Sequence, residues 1–334
     1  MKVTIKDVAE EAKVATSTVS RVLSNSPRIS DETKKIVHEA IKKLNYKPNA
    51  IARSLANNKT RILGVVLPSE AQDLLTNPFF INAMKGMSMY AQSKNYYITY
   101  AFSNDQENEE EHIKEITHNN LVDGVVLLRA REYDESIRYL KEIKFPFVVI
   151  GRPENTDGVL WVDNDNFQAM YNVVNRLIKK GHEKIGMVGA IKDWSMSKDR
   201  LKGYKMALEI NGIKYDEKLT RCQDEFTEEN GYEASKELIK DNKITAVVTT
   251  DDLLAIGAIK AINEENMKNI AVVGFNNSQL GQYQSPTLTT VDINAEKLGY
   301  HATRLLIDNL EDDDSDNNRH YIVDTVFVER ESFV

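Results

Sequence analysis

From Ile62 onward the chain alternates short apolar runs with amphipathic stretches of helical period, and few folds satisfy that alternation. The apolar runs are Ile62–Leu67, Tyr97–Phe102, Gly124–Leu128 and Phe147–Ile150. Helices are expected between them, near 80–94, 108–118 and 134–143. A second series starts around Val159. Its strands are expected at 184–189, 245–250 and 270–275, and its helices near 166–180, 199–211, 229–240 and 253–265. Such alternation gives parallel sheets covered by helices on both faces. Two series of similar size predict two α/β lobes, completed by Thr287–Ile293, a helix over 295–310 and a last strand near 321–329. Two lobes of this type enclose a cleft at the carboxyl ends of their strands, where ligands bind. Glu311–Asp316 reads as an acidic, solvated connector.

The first 61 residues are of a different kind. They hold 13 Lys/Arg against 6 Asp/Glu, a net +7, whereas the whole chain of 334 residues carries −8. The remainder is therefore strongly acidic. A basic module on an acidic body suits a nucleic-acid-binding headpiece, although a solvated lysine-rich surface would have the same charge. No run of about 18 apolar residues occurs, so no membrane span is expected. The N-terminal MKVTIKDVAEE has no apolar stretch after its first lysine, unlike a secretory signal. The lone Cys222 fits a reducing cytoplasm, where the protein is expected to reside.

Within the headpiece, Thr4–Leu23 reads as two short helices with a tight break. Helix one is expected from about Ile5 to Lys13, with Thr4 as N-cap and Asp7 at its positive end. Ile5, Val8, Ala9 and Ala12 make one apolar face. After Lys13-Val14-Ala15, Thr16 or Ser17 can cap a second helix that buries Val19, Val22 and Leu23. Thr16, Ser17, Ser20 and Arg21 lie opposite that stripe. A third helix, capped by Ser30, is expected to bury Ile36, Val37, Ala40, Ile41 and Leu44 before Lys47-Pro48 stops it. Three helices with a tight turn between two of them make a helix-turn-helix domain, whose second helix can read the major groove. A generic three-helix bundle is the bland alternative.

TIKDVAEEAKVATSTVSRVL, followed by YKPNAIARSLA at 46–56 and VERES at 328–332, resembles the LacI/GalR family of bacterial transcription regulators. The resemblance implies that the second helix reads a palindromic operator. Thr16 and Ser17 then stand at variable specificity positions, and Arg21 is an arginine on base or phosphate. Ala15 replaces the serine most often found there, with the loss of one phosphate contact. The stretch from Asn49 to Asn58 is helix-competent but too short to be stable alone in water. By the resemblance it is a hinge helix that pairs across a dimer on DNA, with Leu55 wedged into the minor groove. A flexible linker is the alternative. The expected DNA-contacting set is Thr4, Thr16, Ser17, Thr18, Ser20, Arg21, Asn25, Tyr46, Asn49, Ala52, Arg53, Leu55 and Ala56. Domain limits follow: a headpiece over 1–48, a hinge over 49–60 and a body over 61–334. The body's N-lobe is expected at about 61–160 plus 292–320, and its C-lobe at about 161–291 plus 321–334.

The body shows no GxGxxG, no phosphate-loop lysine motif and no GxSxG elbow, and its histidines are scattered, which argues against an enzyme and against a metal site. Several polar and aromatic residues at expected strand ends fit a polyol. These are Asn77, Phe79, Phe80, Arg152, Asp163, Trp194, Arg200, Asp252 and Asn276. Each has a structural alternative. Phe79 and Phe80 could be core, and Asp163 or Asp252 could cap a helix. Arg200 could be a surface partner, and Asn276 a turn residue. The family resemblance implies that Arg200, in DRLKGY, and Asp252, in TDDLLAIGA, contact an effector, while Asn276 replaces a more usual aspartate. Alanine at Arg200 or Asp252 is then expected to spare DNA binding and abolish the response to sugar. NPFF at 77–80 and VDNDNFQA at 162–169 are most similar to maltose-operon repressors of Gram-positive bacteria.

The combined expectation is a homodimeric, sugar-responsive repressor with no cofactor beyond the sugar itself. In the first alternative, a phosphorylated phosphocarrier protein serves as co-repressor. A more distant one is a sugar-binding receptor on the same two-lobed body.

Overall fold

The computed structural model describes residues 3–23, 26–46, 59–67, 77–102, 106–190, 193–242, 244–267, 269–311 and 319–334. They fall into two compact units, Met1–Thr60 and Arg61–Val334. The hinge stretch, with Asn49, Ala52, Arg53, Leu55 and Ala56, lies outside the described residues, as does Asn25.

The first unit contains α1 (Ile5–Glu11), α2 (Thr16–Leu23) and α3 (Asp31–Lys43). The Thr4 N–H and hydroxyl both donate to the Asp7 carboxylate, at 2.7 and 2.8 Å, and hold its pKa below the usual value. Lys13 turns the chain with φ 55. Ser30 accepts from the Thr33 N–H at 3.3 Å and starts α3. Val8, Ala9, Ala12, Val19, Val22, Val37 and Ala40 form the small core. Two details differ from the sequence expectation. Thr16 is the first residue of α2, so Ala15 holds the capping position, and its carbonyl accepts from Thr18 and Val19. Ile36 is 45% exposed, because the buried stripe of α3 runs through its neighbour Val37 and Ala40.

The second unit has two six-stranded sheets. The first runs β11-β5-β4-β3-β1-β2, with β1 (Ile62–Leu67), β2 (Tyr97–Phe102), β3 (Gly124–Leu127), β4 (Phe147–Ile150), β5 (Leu160–Asn164) and β11 (His320–Val323), all parallel. The second runs β12-β10-β9-β8-β6-β7, with β6 (Ile185–Ala190), β7 (Thr220–Gln223), β8 (Ala246–Thr249), β9 (Ala271–Phe275), β10 (Thr289–Asp292) and β12 (Val326–Val328). Only β12 is antiparallel to its neighbour.

Helices cover both faces of each sheet. In the first lobe Leu63, Val65 and Leu67 of β1 face α4 (Pro78–Ser93) and α12 (Ala295–Leu310), while Val66 faces α5 (Gln106–His118) and α6 (Glu135–Glu142). Successive β1 side chains thus pack into two different helix layers, one on each face of the sheet. Here α4 and α12 touch through glycines: a Cβ on Gly86 would lie 1.8 Å from the Glu296 carbonyl oxygen. The second lobe repeats the plan with α7 (Asn166–Lys179) and α8 (Ser195–Ile210) on one face. On the other lie α9 (Glu228–Asn242) and α10 (Asp252–Glu264), and the short α11 (Gln279–Gln282) precedes β10.

The expected last strand is two strands in different sheets, because the chain changes lobe between Val323 and Val326. Strand β7, TRCQ, was not legible: it is a polar edge strand without an apolar run. Leu160–Asn164 and His320–Val323 both sit in the first sheet, a few residues past the lobe limits read from the sequence. The chain thus crosses between lobes three times, after β5, after β10 and after β11. One side chain ties all three together. Asn164, at the first crossing, donates its amide to the Ile293 carbonyl at 3.0 Å and to the Val323 carbonyl at 2.8 Å.

Candidate functional site

In the headpiece, Thr16, Ser17, Ser20 and Arg21 are exposed on α2 and Thr18 is half-buried. Ala15, ahead of the first turn of α2, has no side-chain oxygen to accept from that turn's N–H groups. Thr4 is exposed and engaged with Asp7. Tyr46 is half-buried against the headpiece core.

In the body, a polar group gathers at the carboxyl ends of strands from both lobes. Arg200 of α8 is 3% exposed. Its Nε donates to Asn166 Oδ1 at 2.9 Å and its terminal nitrogen to the Thr250 carbonyl at 2.6 Å, with the guanidinium 4.1 Å from the Phe275 ring centre. Asn166 in turn donates to the Asp163 carboxylate at 2.9 Å, which also accepts from the N–H groups of Arg152 and Asn164. Asp163 is thus held as an internal acceptor joining β5 to α7. Burial raises its pKa to about 6 and lowers that of Arg200 to about 10, against the pull each exerts on the other.

Asp251 and Asp252 follow β8. Asp252 is turned into the lobe, where its oxygens accept from the Ser278 N–H and the Thr290 hydroxyl, both at 2.6 Å. It packs under Gly274, whose Cβ would lie 2.2 Å from Oδ1. The residue turned toward the other lobe is Asp251, which is itself buried. One oxygen caps α10 through the Leu253 N–H at 2.7 Å, and the other accepts from the Asn276 amide at 2.6 Å. That second oxygen also accepts from Asn77 of the first lobe, at 3.4 Å. Burial and the adjacent Asp252 carboxylate raise Asp251 to about 7, and burial raises Asp252 to about 6. Asn276 adopts φ 108, held by its N–H on the Val291 carbonyl. An amide at 276 can donate to Asp251, which a second carboxylate could not do when ionised.

The remaining candidates divide. Asn77 caps α4 through the Phe79 N–H and so presents its amide to Asp251. Phe79 is half-buried, whereas Phe80 belongs to the first-lobe core, the structural alternative noted for it. The two rings meet edge to face at 5.2 Å. Arg152 is exposed and lies over Trp161, 6.0 Å away, rather than beside Arg200. Trp194 forms an isolated bridge with Arg131 of the first lobe, meets Phe226 edge-on at 5.3 Å and faces the Arg129 guanidinium at 6.0 Å. The sequence reading missed Asp251, Asn166, Arg129 and Phe226. The dipeptide Asp251-Asp252 was the available signal. Only the start of α10 decides which of the two points inward.

Among the described residues, no helix is long and apolar enough to cross a membrane, and no group of three or more His, Cys, Asp or Glu side chains could hold a metal ion.

A helix-turn-helix headpiece joined to a two-lobed parallel α/β body, with a polar cleft between the lobes, defines a class of ligand-responsive DNA-binding proteins. Residues 4–49 match the bacterial regulatory proteins of the lacI family, and residues 174–333 a periplasmic binding protein-like domain. The chain is 39% identical over 303 residues to the HTH-type transcriptional regulator MalR of Streptococcus pneumoniae, covering 90% of each. It is 32% identical over 311 residues to catabolite control protein A of Priestia megaterium, covering 92% of each. A solved complex of the transcriptional regulator CelR with cellobiose superposes with TM-score 0.76 at 29% identity, over 99% of this chain and 100% of that one. The chain belongs to the lacI family: it is a DNA-binding transcriptional repressor. That family is one of regulators, which supports the reading that the chain is not an enzyme.

Proposed function

We propose that the protein is a cytoplasmic homodimer that represses genes of sugar metabolism and leaves a palindromic operator when a maltose-type saccharide binds between its lobes. The observation that carries this is the meeting of Asn77 of the first lobe with Asp251, itself bonded to Asn276, of the second. Trp194 stands at another point of the same seam, bridged to Arg131 of the first lobe. Planar amides and a carboxylate grip vicinal hydroxyls, and an indole covers the C–H face of a sugar ring. Asp251 takes the ligand role first expected of Asp252, because one of its oxygens faces Asn77 of the other lobe, whereas both Asp252 oxygens are bound within their own lobe. The Asp163–Asn166–Arg200 chain holds the floor of the site. Similarity to MalR regulators and to the cellobiose-bound CelR supports a disaccharide.

On the DNA side, Ser17 and Arg21 read base edges from α2, with Thr16, Thr18 and Ser20 beside them. One headpiece specifies few base pairs, so two copies are needed. The sugar acts only in so far as it binds the DNA-competent and DNA-incompetent forms with different affinity.

A gel shift on operator-like palindromes, with and without maltose, tests the proposal. Sequence-specific binding released by maltose is expected. Absence of sequence-specific binding at moderate salt refutes it. Similarity to catabolite control protein A motivates a second arm. If a phosphorylated phosphocarrier protein strengthens the shift and maltose does nothing, the co-repressor reading replaces sugar induction.

A further inference from the structure

We infer that Glu109 and Arg129 form a positioning pair that holds the Trp194 indole in place across the cleft. This rests on the proposed sugar site and adds residues outside it.

Arg129 lies just past the end of β3, and Glu109 in the first turn of α5. Both are buried, and the guanidinium is ion-paired with the carboxylate. Burial raises the pKa of Glu109 and lowers that of Arg129, each opposed by the partner's charge. A buried pair of this kind adds little stability that an apolar pair would not match. Its value lies in fixing a flat cation at a chosen place. That place is above Trp194, whose ring centre is 6.0 Å from the Arg129 carbon, within reach of a cation–π contact. Arg129 belongs to the first lobe and Trp194 to the second. The indole also meets Phe226, of the second lobe like Trp194 itself, edge to face at 67°.

The surrounding backbone is stitched across the same seam. The Glu132 N–H donates to the Asp193 carbonyl at 2.9 Å, and the Ser195 N–H to the Ala130 carbonyl at 3.3 Å. Lys198 of α8 pairs with the Glu132 side chain. Asp134, which caps α6 through the Ile137 N–H, also accepts from the Arg131 N–H and sets the course of this loop. Trp194 is therefore gripped by one side chain from each lobe at the point where the lobes join. An aromatic platform discriminates sugar faces only if its plane is fixed, and the Glu109–Arg129 pair supplies that constraint from the opposite lobe.

The chain has two tryptophans, and the other, Trp161, stacks on His320 at 4.7 Å within the first sheet. Trp161→Phe in the full-length protein thus leaves Trp194 as sole reporter. In that background Arg129→Met, and the charge-free pair Glu109→Gln/Arg129→Met, are compared by Trp194 emission, acrylamide quenching and maltose calorimetry. The double variant leaves no unpaired buried charge should the single one fail to fold. A shifted emission and stronger quenching without sugar are expected, with maltose affinity weakened roughly three- to tenfold. In a Trp194→Phe background the same substitutions should change maltose affinity by less than about twofold, since coupled residues are not additive. Unchanged emission and quenching overturn the inference, as does an equal loss of affinity without Trp194. If the unmodified protein binds no maltose, the sugar reading fails, while the emission and quenching results still decide the positioning role.

Discussion

Asp251→Asn separates the charge of this carboxylate from its shape. Asparagine caps a helix about as well as aspartate, so the bond to the Leu253 N–H survives. What is removed is a charge that burial and Asp252 make costly, raising the pKa from 3.8 to about 7. In the unfolded chain this carboxyl ionises near 3.8, so between about pH 4 and pH 7 the folded protein keeps a proton that the unfolded chain has lost. Stability contributed by this group is therefore present at low pH and lost as pH rises through that window. At about 1.36 kcal/mol per pH unit, the loss by pH 8 is roughly 4 kcal/mol, of which roughly 3 falls between pH 5 and pH 8. The variant escapes it, but its amide nitrogen replaces the oxygen that accepts from Asn276 and Asn77, so that bond is lost at a cost of about 1–3 kcal/mol that is the same at both pH values. Urea unfolding of both proteins at the two pH values is the assay. Asp251→Asn should gain roughly 3 kcal/mol on the unmodified protein between pH 5 and pH 8. A difference that is the same at both pH values would show that Asp251 is not held near neutrality by its surroundings.

Other substitutions probe other links. Arg200→Ala removes the cation facing Asp163, Asp251 and Asp252, and should cost about 3–5 kcal/mol in urea unfolding; an unchanged midpoint would restore the simpler expectation that only the sugar response is lost. Asn164→Ala leaves the Ile293 and Val323 carbonyls without their shared donor and should cost roughly 2–3 kcal/mol, with the lobes more readily cleaved at the crossings by protease; resistance equal to the unmodified protein would contradict the pin. Asn276→Asp turns a donor into a third nearby carboxylate, so maltose affinity should fall more steeply between pH 6 and pH 8 than in the unmodified protein, as calorimetry would show. Replacing Ser17 or Arg21 by alanine should change base preference by about 1–3 kcal/mol per position in gel shifts; equal weakening on every sequence would place them on phosphates.

The parallel architecture was legible because its cause is local and repeated. Each buried strand must be apolar on both sides, and each helix on one, so strands such as Ile62–Leu67 and helices such as 295–310 announce themselves along the chain. The headpiece was legible for the same reason, since Thr4, Asp7 and Ser30 act on backbone groups within three residues. What tertiary structure alone decided is where neighbouring, chemically equal groups point. Asp251 and Asp252 are identical side chains one residue apart. The start of α10 and the closeness of Gly274 send one to the cleft and the other into the lobe. Asn164, Glu109 and Arg129 carry no signal in sequence because their partners lie at other crossings or on other elements. Periodicity reports which face a residue occupies. Only packing brings distant segments close enough to say what that residue meets.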